Sequence, residues 1–336
     1  MRGSHSSIRS LYRALASALL LGLLGFSISG AAQAQQNPAS FPVWLEALRG
    51  EAISKGISPS ILDQALTGIT PIPRVIELDR SQPEFKQTFM QYLTKRVSQT
   101  RIDRGIKEFA ANRALLEEVG QRYGVQPRFI VSLWGMETNY GSYMGKFSVI
   151  QSLATLAYDG RRSTFFRKEL LNALQILDEG HIAPGDMEGS WAGAMGQSQF
   201  MPSSFLQLAV DYNGDGRRDI WGTKADVFAS IANYLSRYKW NPGETWGRRV
   251  LLPQGFDRSL VGLKSKRDLS VWQSLGVRRL DGSSLPFVTI DASIVTPEKT
   301  DPSIAYLAYG NFDRIMKWNR STYFAVAVGT LADKFR

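Results

Sequence analysis

The chain contains no cysteine among its 336 residues, which excludes a disulfide framework and a lipid-attachment cysteine behind an export signal. No segment approaches the roughly 18 uninterrupted apolar residues that mark a confident membrane-spanning helix, so no stable membrane anchor is expected. Internal repeats and low-complexity tracts are missing. So are helix-turn-helix, zinc and aromatic RNA-binding signatures, and the basic residues are scattered rather than clustered. Nucleic acid is therefore not an expected partner, although the formal charge is +10. What is present is core material. Hydrophobic residues make up 43% of the chain, which excludes a disordered protein and allows one large or two ordinary domains.

Residues 1–34 have the order of an export signal: Arg2, Arg9 and Arg13, then the apolar run from Ala14 to Phe26, then Ala32-Gln33-Ala34 with small-x-small cleavage chemistry. Cleavage is expected after Ala34, with an uncleaved N-terminal anchor as the alternative; Met1 to Ser6 also has a hint of an expression leader. Removing the segment takes away three arginines and no acids and leaves +7. That balance suits an anionic partner outside the cytoplasm, either the cell-wall polymer with its peptide carboxylates or lipid headgroups. A monomer is the default expectation.

The mature chain reads as α+β and mostly helical. Phe41 to Leu66 predicts two helices, the second with Ser58 as N-cap and Pro59 as first residue. One long amphipathic helix is predicted over Arg101 to Arg122, and Ser163 is expected to cap another that ends near Leu177. Gly180 to Gly196 reads as an irregular loop, Pro202 opens a helix, and Ala225 to Tyr238 forms a further one. From Arg248 to Pro297 short apolar runs broken by glycine and proline predict a small β-containing insertion. Helical periodicity returns at Asp301 to Gly310 and at Thr322 to Lys334. The expected division is a signal at 1–34, a helical domain at 35–123, a core at 124–247, the β insertion at 248–300 and a helical segment at 301–336 that completes the core.

One charge stands out of pattern. Pro127 opens a helix whose apolar stripe is Ile130, Leu133 and Trp134, and the next position on that stripe is Glu137. Glu137 is therefore expected to point inward. Desolvation and the negative end of the helix dipole would push its carboxyl toward the neutral form, which suits a general acid. The bland alternatives are drift of the period at the helix end, or pairing of a buried Glu137 with Arg161 or Arg162.

Two loops complete the picture. Asp211-Tyr212-Asn213-Gly214-Asp215-Gly216-Arg217-Arg218-Asp219 follows the spacing of a calcium-binding EF-hand loop, with oxygen-bearing side chains Asp211, Asn213, Asp215 and Asp219 at positions 1, 3, 5 and 9, glycine at position 6 and Arg217 at the backbone-carbonyl position 7. Gly222 stands where the closing glutamate belongs, so Asp226 would have to close the site. A turn stitched by Asx hydrogen bonds is the alternative; calcium, where bound, would be structural. The other loop, Ser190 to Pro202, combines small residues with amides and aromatics and would let a polymer approach the backbone while Ser190 and Gln199 offer hydrogen bonds. A tight helix-packing loop explains it equally well.

Four segments, in this order, resemble the lytic murein transglycosylase B family: Gly135 to Gly141, Ala192 to Gln197 leading into Gln199 to Phe205, Asp211 to Asp219, and Trp318-Asn319-Arg320-Ser321. The resemblance implies a lysozyme-like catalytic core in the periplasm, with a helical domain and a small β domain attached. It implies cleavage of the β-1,4 bond between N-acetylmuramic acid and N-acetylglucosamine of peptidoglycan, leaving a 1,6-anhydro end, with no cofactor in the chemistry. Glu137 matches the single catalytic glutamate. Ser190, Met195, Gln199, Tyr234 and Asn319 match sugar-site residues, and Tyr92, Arg161 and Arg162 are similar to further substrate contacts. Trp318 and Phe324 depart from expected tyrosines: Trp318 can still stack on a sugar, whereas Phe324 loses a hydroxyl. Glycan strands are the implied partner, with wall-synthesis or wall-degrading proteins as further candidates. A hydrolytic muramidase using Asp186 or Glu188 as second carboxylate, and a non-catalytic wall-binding protein, are the competing readings.

Overall fold

The computed structural model describes residues 39–81, 87–298, 301 and 303–335; the expected signal and the Met1 to Ser6 segment lie outside them. Proline starts helices where the sequence predicts. α1 (Phe41–Ser54) and α2 (Pro59–Leu66) each carry proline in the first turn, where the missing N–H is no loss. α3 (Pro73–Ser81) follows. α4 (Phe89–Arg96) begins with a reciprocal capping box between Thr88 and Gln91, an arrangement worth about 1 kcal/mol.

The single helix expected over Arg101 to Arg122 is two, α5 (Gln99–Ala111) and α6 (Arg113–Tyr123). Asn112 breaks it. Its backbone leaves the helical region (φ −115°, ψ 16°) while its side-chain amide donates to the Glu108 carbonyl at 2.7 Å, the local competition that disfavours asparagine inside helices.

α7 (Pro127–Thr138) opens at Pro127 as expected, and α5, α6 and two later helices, Lys224–Arg237 and Thr322–Ala332, surround it. Beyond it come β1 (Phe147–Ser148), α8 (Val149–Asp159), α9 (Ser163–Asp178), β2 (Glu188–Gly189), α10 (Pro202–Leu208) and α11 (Lys224–Arg237). Ser163 is the first residue of α9 rather than its cap. β1 and β2 form a two-stranded antiparallel pair that ties the start of α8 to the loop before Ser190.

The β-containing stretch is present, and it includes more of the chain than expected. β3 (Gly247–Leu251), β4 (Arg267–Asp268), α12 (Leu269–Ser274), β5 (Arg278–Arg279), β6 (Asp291–Val295) and β7 (Ala305–Ala308) give a five-stranded antiparallel sheet in the order β4-β6-β7-β3-β5. The middle strand, β7, falls where a helix was expected over Asp301 to Gly310. All four of its residues are buried, and a short continuous apolar run reads alike as buried strand or buried helix. The sheet therefore closes on residues beyond 300. α13 (Gly310–Trp318) and α14 (Thr322–Ala332) end the chain.

The burial has two centres. A large core runs from α1 through α14, and a small one gathers Val250, Leu269, Trp272, Val277, Ile294 and Leu307 within the sheet unit. No helix among the described residues is long and apolar enough to cross a membrane.

Candidate active site

Glu137 continues the stripe of buried Ile130, Leu133 and Trp134 and is itself partly buried. α7 is buried on all sides, and between Phe129 and Thr138 only Glu137 is partly exposed. The structure adds that helices surround α7, so there is no single apolar face, and the carboxylate occupies the one opening.

The run after it is shaped by the helix end. Asn139 and Tyr140 take left-handed φ of 50° and 61°, and the N–H groups of both return to carbonyls of the last turn, at Gly135 (3.0 Å) and Trp134 (3.3 Å). The reversal folds the Tyr140 ring back over Gly135, where a Cβ would come within 2.5 Å of it. Tyr140 then donates its hydroxyl to the Arg101 carbonyl at 2.8 Å, and burial pushes that phenol's pKa up. Gly135 and Tyr140 thus fix the C-terminus of α7 against α5.

The Ser190 to Pro202 loop docks on the same helix end. Gln197, 8% exposed, holds it through four bonds: its side-chain oxygen accepts from the Trp134 indole (2.7 Å), its amide nitrogen donates to the Trp221 carbonyl (2.7 Å), its N–H donates to the Ile220 carbonyl (2.8 Å), and its carbonyl accepts from the Thr138 hydroxyl (3.0 Å). Met195 is wholly buried and exchanges backbone bonds with Phe200. Gln199, at φ 50°, donates to the carbonyls of Met144 and Gly196 at 3.0 Å each. Ser190 accepts from the N–H groups of Ala192 and Ala194. Here the sequence left a packing loop and a ligand loop as alternatives; the loop packs tightly and also brings Phe200 to the site.

Beside Glu137 three aromatic rings meet: Phe200 lies 5.3 Å from Trp318 and 5.8 Å from Tyr234, and Tyr234 lies 4.6 Å from Trp318. The Trp318 indole N–H donates to Oε1 of Glu137 at 2.7 Å. Tyr234 donates its hydroxyl to the Lys317 carbonyl at 2.7 Å, which secures the end of α13. Burial first, with Tyr238 and the Glu137 charge adding, pushes the Tyr234 pKa far up, so the phenol stays protonated. Asn319 turns the chain from α13 into α14, its side-chain oxygen accepting from the Ser321 N–H. Phe324 is 6% exposed, a setting in which a lone hydroxyl would need a partner.

The remaining expected residues sit elsewhere in the fold. Tyr92 packs its ring on Tyr323 at 5.7 Å, with Arg96 above it. Arg161 and Arg162 are both drawn to the buried Asp79 carboxylate, Arg161 at 3.1 Å. The Asp211 to Asp219 loop is stitched as the Asx alternative describes. Asp211 accepts from the N–H groups of Gly214, Asp215 and Gly216, Asp215 accepts from Arg217 and from the Asn213 amide, and buried Asp226 accepts from Tyr212 and Asp219 at 2.8 Å each. Among the described residues no three His, Cys, Asp or Glu side chains stand close enough to hold a metal ion. Two functional features escaped the sequence: Gln197 as the keystone of its loop, and the bond from Trp318 to Glu137. The first had a signal, an amide set among small and aromatic residues. The second joins residues 181 positions apart and had none.

The model of the transglycosylase SLT domain family matches residues 40–333. The membrane-bound lytic murein transglycosylase B of Escherichia coli K12 is 31% identical in an alignment of 257 positions that covers 72% of this chain and 66% of that protein, so the chain spans just under two thirds of that relative. The structure of SltB3 from Pseudomonas aeruginosa in complex with NAG-anhNAM-pentapeptide superposes with a TM-score of 0.85 at 46% identity, covering 88% of this chain and 79% of that one. That of the Escherichia coli lytic transglycosylase Slt35 in complex with calcium superposes at 0.74 and 27% identity, covering 92% and 98%.

Proposed function

Because the chain belongs to the transglycosylase SLT domain family, we propose that it is a peptidoglycan lytic transglycosylase that cleaves the bond between N-acetylmuramic acid and N-acetylglucosamine without water and leaves 1,6-anhydro ends. The observation that carries this is the position of Glu137, the one opening in a buried helix, flanked by the Phe200, Tyr234 and Trp318 rings. The neutral Glu137 carboxyl protonates the glycosidic oxygen as the bond breaks, and the carboxylate so formed takes the proton from the sugar's C6 hydroxyl. Hydrolysing glycosidases need a second carboxylate as nucleophile or base. Here the N-acetyl group of the substrate meets the charge at C1, and closure by the tethered C6 hydroxyl outruns water through high effective molarity.

Ser190, Gln199 and Asn319 are proposed to contact the glycan, as are Tyr92, Arg161 and Arg162 at its edges; Met195 acts through the backbone it orders. Residues 1–34 support export to the periplasm, and the net basic charge supports binding of a wall polymer that carries carboxylates. The sheet unit with its own small core is proposed as the β domain, with β7 assigned to it, while the 35–123 and 124–247 segments share one large core. Calcium has a structural place only: the EF-hand spacing and the calcium-bound relative support binding at the 211–226 loop, and Asp226 would have to turn an oxygen from an amide to the ion.

Mass spectrometry of fragments released from purified peptidoglycan by the chain from Gln35 onward, with Glu137→Gln in parallel, tests the proposal. Muropeptides one water lighter than hydrolysis products are expected from the wild type, and a loss of about 10²–10⁴-fold from the variant. Reducing ends would make the protein a muramidase, and equal behaviour of the variant would make it a binding protein.

A further inference from the structure

Trp318 was expected to serve as a sugar-stacking surface. Its surroundings suggest a different duty. The indole is held by Phe200 at 5.3 Å and Tyr234 at 4.6 Å, and the backbone it rides on is held by the Tyr234 hydroxyl at Lys317. Its N–H points at Oε1 of Glu137 at 2.7 Å.

An indole nitrogen can only donate. Whatever the protonation state of Glu137, the oxygen facing it must accept. In a neutral carboxyl the carbonyl oxygen is the good acceptor and the hydroxyl oxygen the poor one, so the proton is steered to Oε2. In the carboxylate the same N–H becomes a charge-assisted bond, stronger than the neutral one.

We propose that Trp318 is a positioning residue that assigns the two oxygens of Glu137: Oε1 is the fixed acceptor, and Oε2 carries the proton out to the glycosidic oxygen and receives it back from the C6 hydroxyl. The inference rests on the lytic reading above for the identity of the proton's partners, and on the hydrogen bond alone for the assignment. Because the bond is stronger to the charged form of Glu137, its loss favours the protonated form. Tyr234 also faces Glu137, but it stays protonated across the working range and contributes no titration there.

The test has one arm free of chemistry. In two-dimensional ¹⁵N–¹H spectra the Trp318 indole signal is the tryptophan peak that disappears in Trp318→Phe. It should move with pH as Glu137 titrates and stand still in Glu137→Gln; an indole signal that does not titrate in the wild type overturns the proposal. In the activity arm, Trp318→Phe keeps a ring for packing and loses the donor. The expected result is a kcat about tenfold lower, KM nearly unchanged, an alkaline limb of the pH profile displaced upward and an unchanged circular dichroism spectrum. A raised KM with kcat and the limb intact would restore the stacking role. Failure of the lytic reading shows separately, as wild-type fragments without anhydro ends, and leaves the spectral arm standing as the measure of the assignment.

Discussion

Two glycine-bearing loops of this protein, each singled out by its sequence, are held in opposite ways. The Ser190 to Pro202 loop is closed by distant residues: Gln197 reaches Trp134 and Thr138, which lie 63 and 59 positions earlier. The Asp211 to Arg217 turn is closed by its own side chains, over separations of five residues or fewer. Its outward bonds run through Tyr212, to Glu118 and to Asp226 beneath it, and through Arg218 at its edge, to His181 and Glu179. The lesson is one of transmission. A loop bonded to the end of α7 shares its geometry with Glu137, whereas a loop bonded to itself can distort with little consequence for the carboxylate.

Substitutions can break that comparison. Gln197→Leu strands the Trp134 indole N–H and the Trp221 carbonyl in the interior. A loss of about 2–4 kcal/mol in chemical denaturation is expected, on the scale of 1–3 kcal/mol for each unsatisfied buried group. Activity should fall with it even where the fold survives, because Thr138 adjoins Glu137; full activity in a folded Gln197→Leu protein would show that the loop is not coupled to the site. Asp226→Ala removes the acceptor of two backbone N–H groups, and about 1–3 kcal/mol should be lost while kcat measured on the folded fraction stays unchanged. A fall in kcat would instead mean that the second loop communicates with the first.

Smaller effects sharpen the picture. Millimolar calcium should raise the melting temperature by the equivalent of about 1 kcal/mol if the loop binds with the weak affinity of extracellular modules, and EDTA should leave the release of muropeptides intact. An unmoved melting temperature identifies the loop as an Asx turn alone. The pH dependence at the loop's edge has a definite sign. Burial, then the Arg218 charge, hold the His181 pKa below its ordinary 6.5 against the opposing Glu179. The folded state therefore prefers the neutral ring and the unfolded state takes a proton first. Stability from this group is present above about 6.5 and is lost as pH falls through that value toward the folded pKa. His181→Asn should flatten that slope in thermal melts, with no change in the alkaline limb set by Glu137.

The contrast also explains what could be read in advance. Helix starts at Pro59, Pro127 and Pro202 were legible because proline and its neighbours set backbone angles locally. The Asp211 turn was legible for the same reason, its partners lying within the motif. β7 was misread as helix, since burial on both faces erases the period that separates strand from helix. Glu137 was found as a displaced charge on a buried stripe; that helices close in on the other sides of α7 was not legible, because a stripe argument assumes one buried face.

By itself the sequence determined where the local elements start and stop, which loops carry oxygen and glycine in working order, and that one carboxylate stands where packing alone would not put it. These depend on interactions between near neighbours, whose spacing is written in the chain. Only the tertiary structure decided that Glu137 is the opening in a buried helix, that Gln197 locks the neighbouring loop, and that Trp318 stands against Oε1. Those contacts cross 63 to 181 positions, and their geometry is fixed by how helices pack around α7, a property of the assembled core that no short stretch of sequence contains.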